Sequence, residues 1–295
     1  VVSALAYLVA SMSFHAPAMF ADCAYSSYGR MAPLANNLLI YGFCIPAGWA
    51  ASLWMLARLG RTRLAQGALV MIGTKIWNLG VLLGAVGILI GDSSGFEYLE
   101  FPLYAAWPLL VASLLIGISG LNTLRARTDC PLHPTQWFAG LSLLWFPWIF
   151  ITAMLLLQVW PVRGMAQGAV HAWFLAQQQV VLPGLFGVAA LFYFLPVLKR
   201  QPLASRQLAF FTLITLIFFG GWAGVPLSAP VPAWMSVLSR IMSICLVVPV
   251  LALMLNVWPL HLGLKEGEAR YFRFGFRALL CWMTLILIIN GTGVW

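Results

Sequence analysis

Val111-Ala-Ser-Leu-Leu-Ile-Gly-Ile118 decides the fold. A half-buried strand would alternate apolar and polar side chains, and a surface helix would carry a polar stripe. This stretch does neither, and it sits inside an uncharged segment from 101 to 122, about the 20 residues that a helix needs to cross a hydrocarbon core of about 30 Å. Cutting the rest of the chain at its polar, Gly- and Pro-containing clusters predicts nine spans: 1–21, 34–57, 66–91, 101–122, 137–160, 170–197, 207–225, 233–257 and 272–294. The composition agrees, with 62% hydrophobic and 8% charged residues in 295 and a mean hydropathy of +0.94. A water-soluble protein is ruled out. The predicted fold is all-α, a polytopic transmembrane helical bundle with short loops, read as a single domain over 1–295 because no long linker, low-complexity tract or clear repeat divides it.

The net charge of +9 raises the question of a nucleic-acid partner, and the positions of the basic residues answer it. Alternate loops carry Arg58, Arg61, Arg63, Arg125, Arg127, Lys199, Arg200, Arg206, Lys265, Arg270, Arg273 and Arg277, whereas the opposite loops carry Arg30 and Arg163. Such asymmetry marks the cytoplasmic side of a membrane protein. It predicts a cytoplasmic N-terminus, an outer face holding Asp22, Asp92, Glu97 and Glu100, and no role for nucleic acid. Cys23, Cys44, Cys130, Cys245 and Cys281 form no C-x-x-C pair or haem-attachment motif, which excludes a thiolate zinc site and a covalently held haem. The first segment lacks a basic leader region and contains Ser11-Met-Ser-Phe-His15, so a cleaved signal peptide is not expected. The start at Val1 and the stop at a ninth helix read as the limits of a processed chain.

Several stretches resemble subunit I of the C-type haem-copper (cytochrome c) oxidases, in the same order and topology. Arg30-Met-Ala-Pro-Leu-Ala-Asn-Asn37 resembles that family's R-x-x-P-L-H-x-N on the second helix, and Ser93-Ser-Gly-Phe-Glu-Tyr-Leu-Glu-Phe-Pro102 resembles its outer loop between helices three and four. Trp173 through Pro196 follows the sixth helix, Trp222-Ala-Gly224 matches the W-A-G that precedes a histidine pair on the seventh, and Pro232-Ala-Trp234 to Pro249 follows the eighth. The resemblance implies an O2-reducing membrane enzyme with haem and copper, whose ligands each have a position here. The histidine for the low-spin haem falls on Ala35, the copper histidine of helix six on Ala176, the active-site tyrosine on Gly220, and the histidine pair on Pro226 and Leu227. No histidine lies between Gly220 and Trp234. Copper in that geometry needs imidazole nitrogens, and haem iron needs a His, Met, Cys or Tyr side chain. The resemblance places the remaining ligands on a tenth helix, past Trp295.

The titratable residues left inside the spans are the other candidates. His15, read as mid-depth in the first span, is a candidate replacement axial ligand, against the plainer reading of a histidine hydrogen-bonded between helices. Lys75 fits a proton path or an anionic lipid headgroup, or simply snorkels to the cytoplasmic face. Arg240 suits haem propionates, or else a helix end or an outer acid such as Glu97 or Glu100. His171 reads as interfacial, and His133 and His261 as solvated. Gln177, Gln178 and Gln179 beside Ala176 bring amides that need partners, while the 19 Phe, 14 Trp and 11 Met suit side-chain collapse into vacated space.

Three readings follow. The first is a catalytically inactive subunit I-like protein of the bacterial inner membrane, without cofactor, contacting lipids and other membrane subunits of an electron-transfer complex. The second is a haem- or quinone-binding subunit with non-standard ligands. The third is a conductor of protons or a small solute.

Overall fold

The computed structural model describes residues 1–20, 22–128, 131–225, 231–262 and isolated positions beyond 272. Eight helices occupy the described residues: α1 Val2–His15, α2 Tyr28–Leu59, α3 Gly67–Ile90, α4 Leu103–Arg125, α5 Pro134–Val159, α6 Met165–Lys199, α7 Arg206–Trp222 and α8 Ala233–Leu260. Six of them, α2 to α6 and α8, are long and apolar enough to cross a membrane. These follow the spans predicted from hydropathy. The ninth predicted span, 272–294, and the positions Pro226 and Leu227 lie outside the described residues, apart from scattered positions of that span.

The first span ends earlier than the sequence reading places it. Pro17 lacks an N–H and disfavours helical backbone in the residue before it; Ala16 accordingly leaves the helix at φ −135° and ψ 71°. α1 therefore stops at His15, about 21 Å long at 1.5 Å per residue. Prolines also explain three wide turns. Ile40–Cys44, Leu155–Val159 and Gln177–Val181 are π-helical, and each precedes an X-Pro step, Ile45-Pro46, Trp160-Pro161 and Leu182-Pro183. Widening the turn takes the preceding carbonyls out of the way of the proline ring.

α5 is central and touches α2, α4, α6 and α7, while α1 leans on α2, and α7 and α8 pair with each other. α3 lies close along α4 because small residues line the contact: a Cβ on Gly80 would meet the Leu109 side chain at 3.0 Å, and one on Gly73 the Ala112 carbonyl at 3.2 Å. Small residues of this kind let membrane helices approach closely. The basic loops meet at one end of the bundle, where Asn122 donates to Gln66 at 2.7 Å, the Asn256 amide brackets Ser205 and Arg206 lies 5.1 Å over the Trp137 ring.

At the other end Gly91 terminates α3 at φ +95°, and the Arg30 Nη1 donates to the Leu89 carbonyl at 2.8 Å. A cation suits a helix C-terminus, where unpaired carbonyls leave partial negative charge. Gly91→Ala is expected to cost about 1–2 kcal/mol for left-handed backbone alone, and more because its Cβ would sit 3.0 Å from the Arg30 Nη2. Thermal unfolding in detergent checks it; an unchanged midpoint contradicts it.

Candidate functional site

The positions that the resemblance assigns to cofactor ligands are buried and tightly surrounded. Ala35 on α2 is fully buried, and its carbonyl accepts from the Ser3 hydroxyl of α1 at 2.8 Å. Ala176 ends the α-helical part of α6 just before its π-turn, and a Cβ on Gly224 would lie 2.7 Å from the Ala176 Cβ. Gly220 on α7 leaves no room either, since a Cβ there would stand 2.7 Å from Val181 Cγ2. Ala35, Ala176 and Gly220 offer neither donor atoms nor space, so these residues do not fit haem ligation or copper. Pro226 and Leu227 lie outside the described residues. Among the described residues no three His, Cys, Asp or Glu side chains gather as a metal cluster would require.

Aromatic side chains occupy the centre between α2, α3 and α5. Tyr41 packs 5.2 Å from Phe101 and 6.1 Å from Phe146; Phe146 stacks on Phe150 at 5.1 Å; Trp77 lies 4.7 Å from Trp49 and 5.4 Å from Phe146. The Trp77 indole N–H donates to the Tyr41 carbonyl at 2.8 Å, which satisfies a buried donor and fixes α3 against the π-turn of α2. Edge-on and offset contacts of this kind fill irregular space at native density.

Above this layer the loop from 91 to 102 folds inward and brings polar groups with it. Leu99 and Phe101 are buried, and Glu100 between them is only 5% exposed. Asn37 of α2 donates to the Glu100 carboxylate at 2.6 Å, Tyr41 donates to the Tyr98 carbonyl at 2.6 Å, and Gln158 of α5 donates to the Leu99 and Phe101 carbonyls at 3.1 and 3.2 Å. His171 bonds the Glu97 carbonyl at 3.1 Å and holds the loop's outer edge. Burial raises the Glu100 pKa to about 7, the Asn37 hydrogen bond opposes that rise, and the nearby Glu97 charge adds to it.

The glutamines divide. Gln177 is satisfied, accepting from Trp145 Nε1 at 3.0 Å and donating to the Gly221 carbonyl at 3.2 Å. Gln178 is buried, and its amide has no hydrogen-bond partner among the described residues; it faces the Tyr41 hydroxyl without closing a bond to it. Asn37 Oδ1 and Gln158 Oε1 are likewise unpaired and buried. The end of the bundle opposite the basic loops thus holds a carboxyl group bonded by Asn37, the Gln158 amide on the same loop, and spare hydrogen-bonding capacity at Asn37, Gln158 and Gln178. The sequence alone singles out neither Asn37, Tyr41 nor Gln158, and places Glu100 among the outer-loop acids. A signal was present, because Asn37 and Glu100 belong to the stretches that carry the resemblance.

His15 and Lys75 do not join this site. His15 is not mid-depth: it is the exposed last residue of α1, edge-on to Phe14. Lys75 is exposed on α3. Arg240 is half-buried on α8 and engaged by a neighbour. His133 is not simply solvated, for its Nδ1 accepts from the Thr135 N–H and its own N–H donates to Gln136, closing a capping box on α5. Its pKa is lowered by burial and by the Arg206 charge. His261 lies in the last turn of a helix that runs to Leu262, and its side chain lies outside the described residues.

Known proteins place this architecture. The chain is 26% identical over 250 residues to the Cbb3-type cytochrome c oxidase subunit CcoN1 of Stutzerimonas stutzeri, covering 80% of this chain and 51% of that protein. It is 26% identical over 245 residues to a cytochrome c oxidase subunit 1 homolog of Agrobacterium tumefaciens, covering 79% and 45%, and 27% identical over 247 residues to cytochrome c oxidase subunit 1 of Rhodobacter capsulatus, covering 78% and 45%. The chain therefore spans about half the length of the curated relatives it matches. Residues 1–295 match the family described as Cytochrome C and Quinol oxidase polypeptide I, and with six helices apolar and long enough to span a membrane, the chain is an integral membrane protein of that family.

Proposed function

We propose that this chain is a catalytically inactive subunit I-like protein, retained as a structural or partner-binding subunit of a respiratory or other electron-transfer assembly. Its place is a bacterial inner membrane, with the basic loops and the N-terminus in the cytoplasm. The observation that carries this reading is the chemistry at Ala35, Ala176 and Gly220, where two methyl groups and a bare Cα stand in close contact with their neighbours. Fold alone does not bring the family's activity with it. Relatives named as oxidase subunits support an assembly of several membrane chains. Purification followed by a reduced-minus-oxidised optical spectrum and copper analysis tests the proposal. The expected result is no Soret band assignable to this chain and copper far below one per chain; either signal at stoichiometric level overturns it.

A second reading, conduction of protons or a small polar solute, draws on the unpaired side-chain oxygens of Asn37 and Gln158 and the unpaired amide of Gln178. The aromatic layer of Tyr41, Trp77, Phe146 and Phe150 beside them argues against a continuous polar path.

A further inference from the structure

α3 is the least enclosed of the six long apolar helices, with 22% of its span buried. Its inner face is glycine-rich and fixed against α4. The outer face carries Met71, Lys75, Asn78 and Leu82, all exposed, at spacings of four, three and four residues that place them in one stripe. Asn78 is the middle of a helix from Gly67 to Ile90, about 17 Å from its start at 1.5 Å per residue. Neither Lys75 nor Asn78 makes a hydrogen bond or ion pair with any described residue.

That pair is out of keeping with the rest of the exterior. The exposed positions along the body of α7, for instance, are Phe210, Phe211, Ile214 and Phe218, a surface that hydrocarbon solvates well. A lysine near a helix end can carry its ammonium to the interface along a flexible stem, and the tilt of the Cα–Cβ bond toward the helix N-terminus helps it. Asn78 has no such reach. A short amide at mid-span, with two donors and an acceptor, stays unsatisfied in lipid.

We propose that the Met71-Lys75-Asn78-Leu82 face of α3 is an interface for a transmembrane helix of a partner subunit that presents an acidic side chain to Lys75 and a hydrogen-bonding group to Asn78. Interhelical hydrogen bonds between polar side chains are a standard glue in membranes, and a buried cation requires an anion. This rests on reading the chain as a partner-binding subunit, and it names where and with what chemistry the partner binds.

Photo-crosslinking of the full-length protein in its native membrane tests it, with p-benzoylphenylalanine placed at Leu79, beside the stripe, and at Phe218 as the lipid-facing control. The expected adduct at Leu79 joins a different polypeptide, maps by mass spectrometry to a transmembrane segment containing Asp or Glu, and is absent at Phe218. The double substitution Lys75→Leu and Asn78→Leu is expected to reduce that adduct roughly tenfold, and Lys75→Glu to abolish it until the mapped acid is changed to Lys. The substituted side chains face outward, so the thermal midpoint of the isolated protein should stay unchanged. Adducts only with lipid, with a second copy of this chain or with another segment of it overturn the proposal, as does an adduct that survives the double substitution. A haem-free chain whose Leu79 reaches only lipid leaves catalytic inactivity standing and removes this interface. A haem-loaded chain with the expected adduct does the reverse.

Discussion

Phe146→Ala is expected to destabilise the protein by about 3–5 kcal/mol, the range for removing a fully buried aromatic side chain whose surroundings cannot collapse. Phe146 is completely buried on the central helix α5 and touches Tyr41, Trp49, Trp77 and Phe150 at once. Those four rings come from α2, α3 and α5, and each is held by other contacts, including the Trp77 hydrogen bond to the Tyr41 carbonyl. None can swing freely into the hole. Phe218→Ala is the control, since Phe218 is 54% exposed on α7 and its loss leaves no internal cavity. Thermal or denaturant unfolding in one detergent should separate the two clearly. Equal small effects would mean that the centre is loosely filled, contrary to the packing described.

Glu100→Gln should change how stability depends on pH. The folded-state pKa of Glu100 is raised from an ordinary 4.5 to about 7, so between those values the folded chain holds a proton that the unfolded chain has released. Stability then falls as pH rises through this window, and the ionised carboxylate costs up to about 3 kcal/mol above it. Glutamine keeps an oxygen that can accept from Asn37 and removes the charge. The variant should match the native protein near pH 4.5, exceed it above pH 7, and show a flatter profile between. Unfolding midpoints at several pH values from 4.5 to 8 check this, and parallel profiles for the two proteins would contradict it.

What could be read from the sequence divides along physical lines. Apolar runs such as Val111 to Ile118 mark helices whatever their neighbours, because hydrocarbon imposes the same demand on each. The end of α1 was also written locally, in Pro17, yet hydropathy carried the predicted span past it and put His15 at the wrong depth. The positions that the resemblance assigns to ligands can be named because Ala35 and Ala176 stand within stretches that follow the family pattern without a gap. The polar knot was not. Glu100 lies in the loop between α3 and α4, which by default faces water; only tertiary contacts reveal that Leu99 and Phe101 pull that loop inward and bury the carboxyl group with them. Gln178 needed the same information, since its difference from Gln177 lies in which helix each one faces.

The central claim is the proposal that the positions which the resemblance assigns to haem and copper ligands hold no donor side chain and, at Ala176 and Gly220, no free space. A cryo-electron microscopy map of the purified protein tests it most directly. The account predicts continuous side-chain density for Tyr41, Trp77, Phe146 and Phe150, with Ala176 against Gly224 and Gly220 against Val181. A flat, haem-sized density beside Ala35, or a metal peak near Ala176 and Gly220, would contradict it.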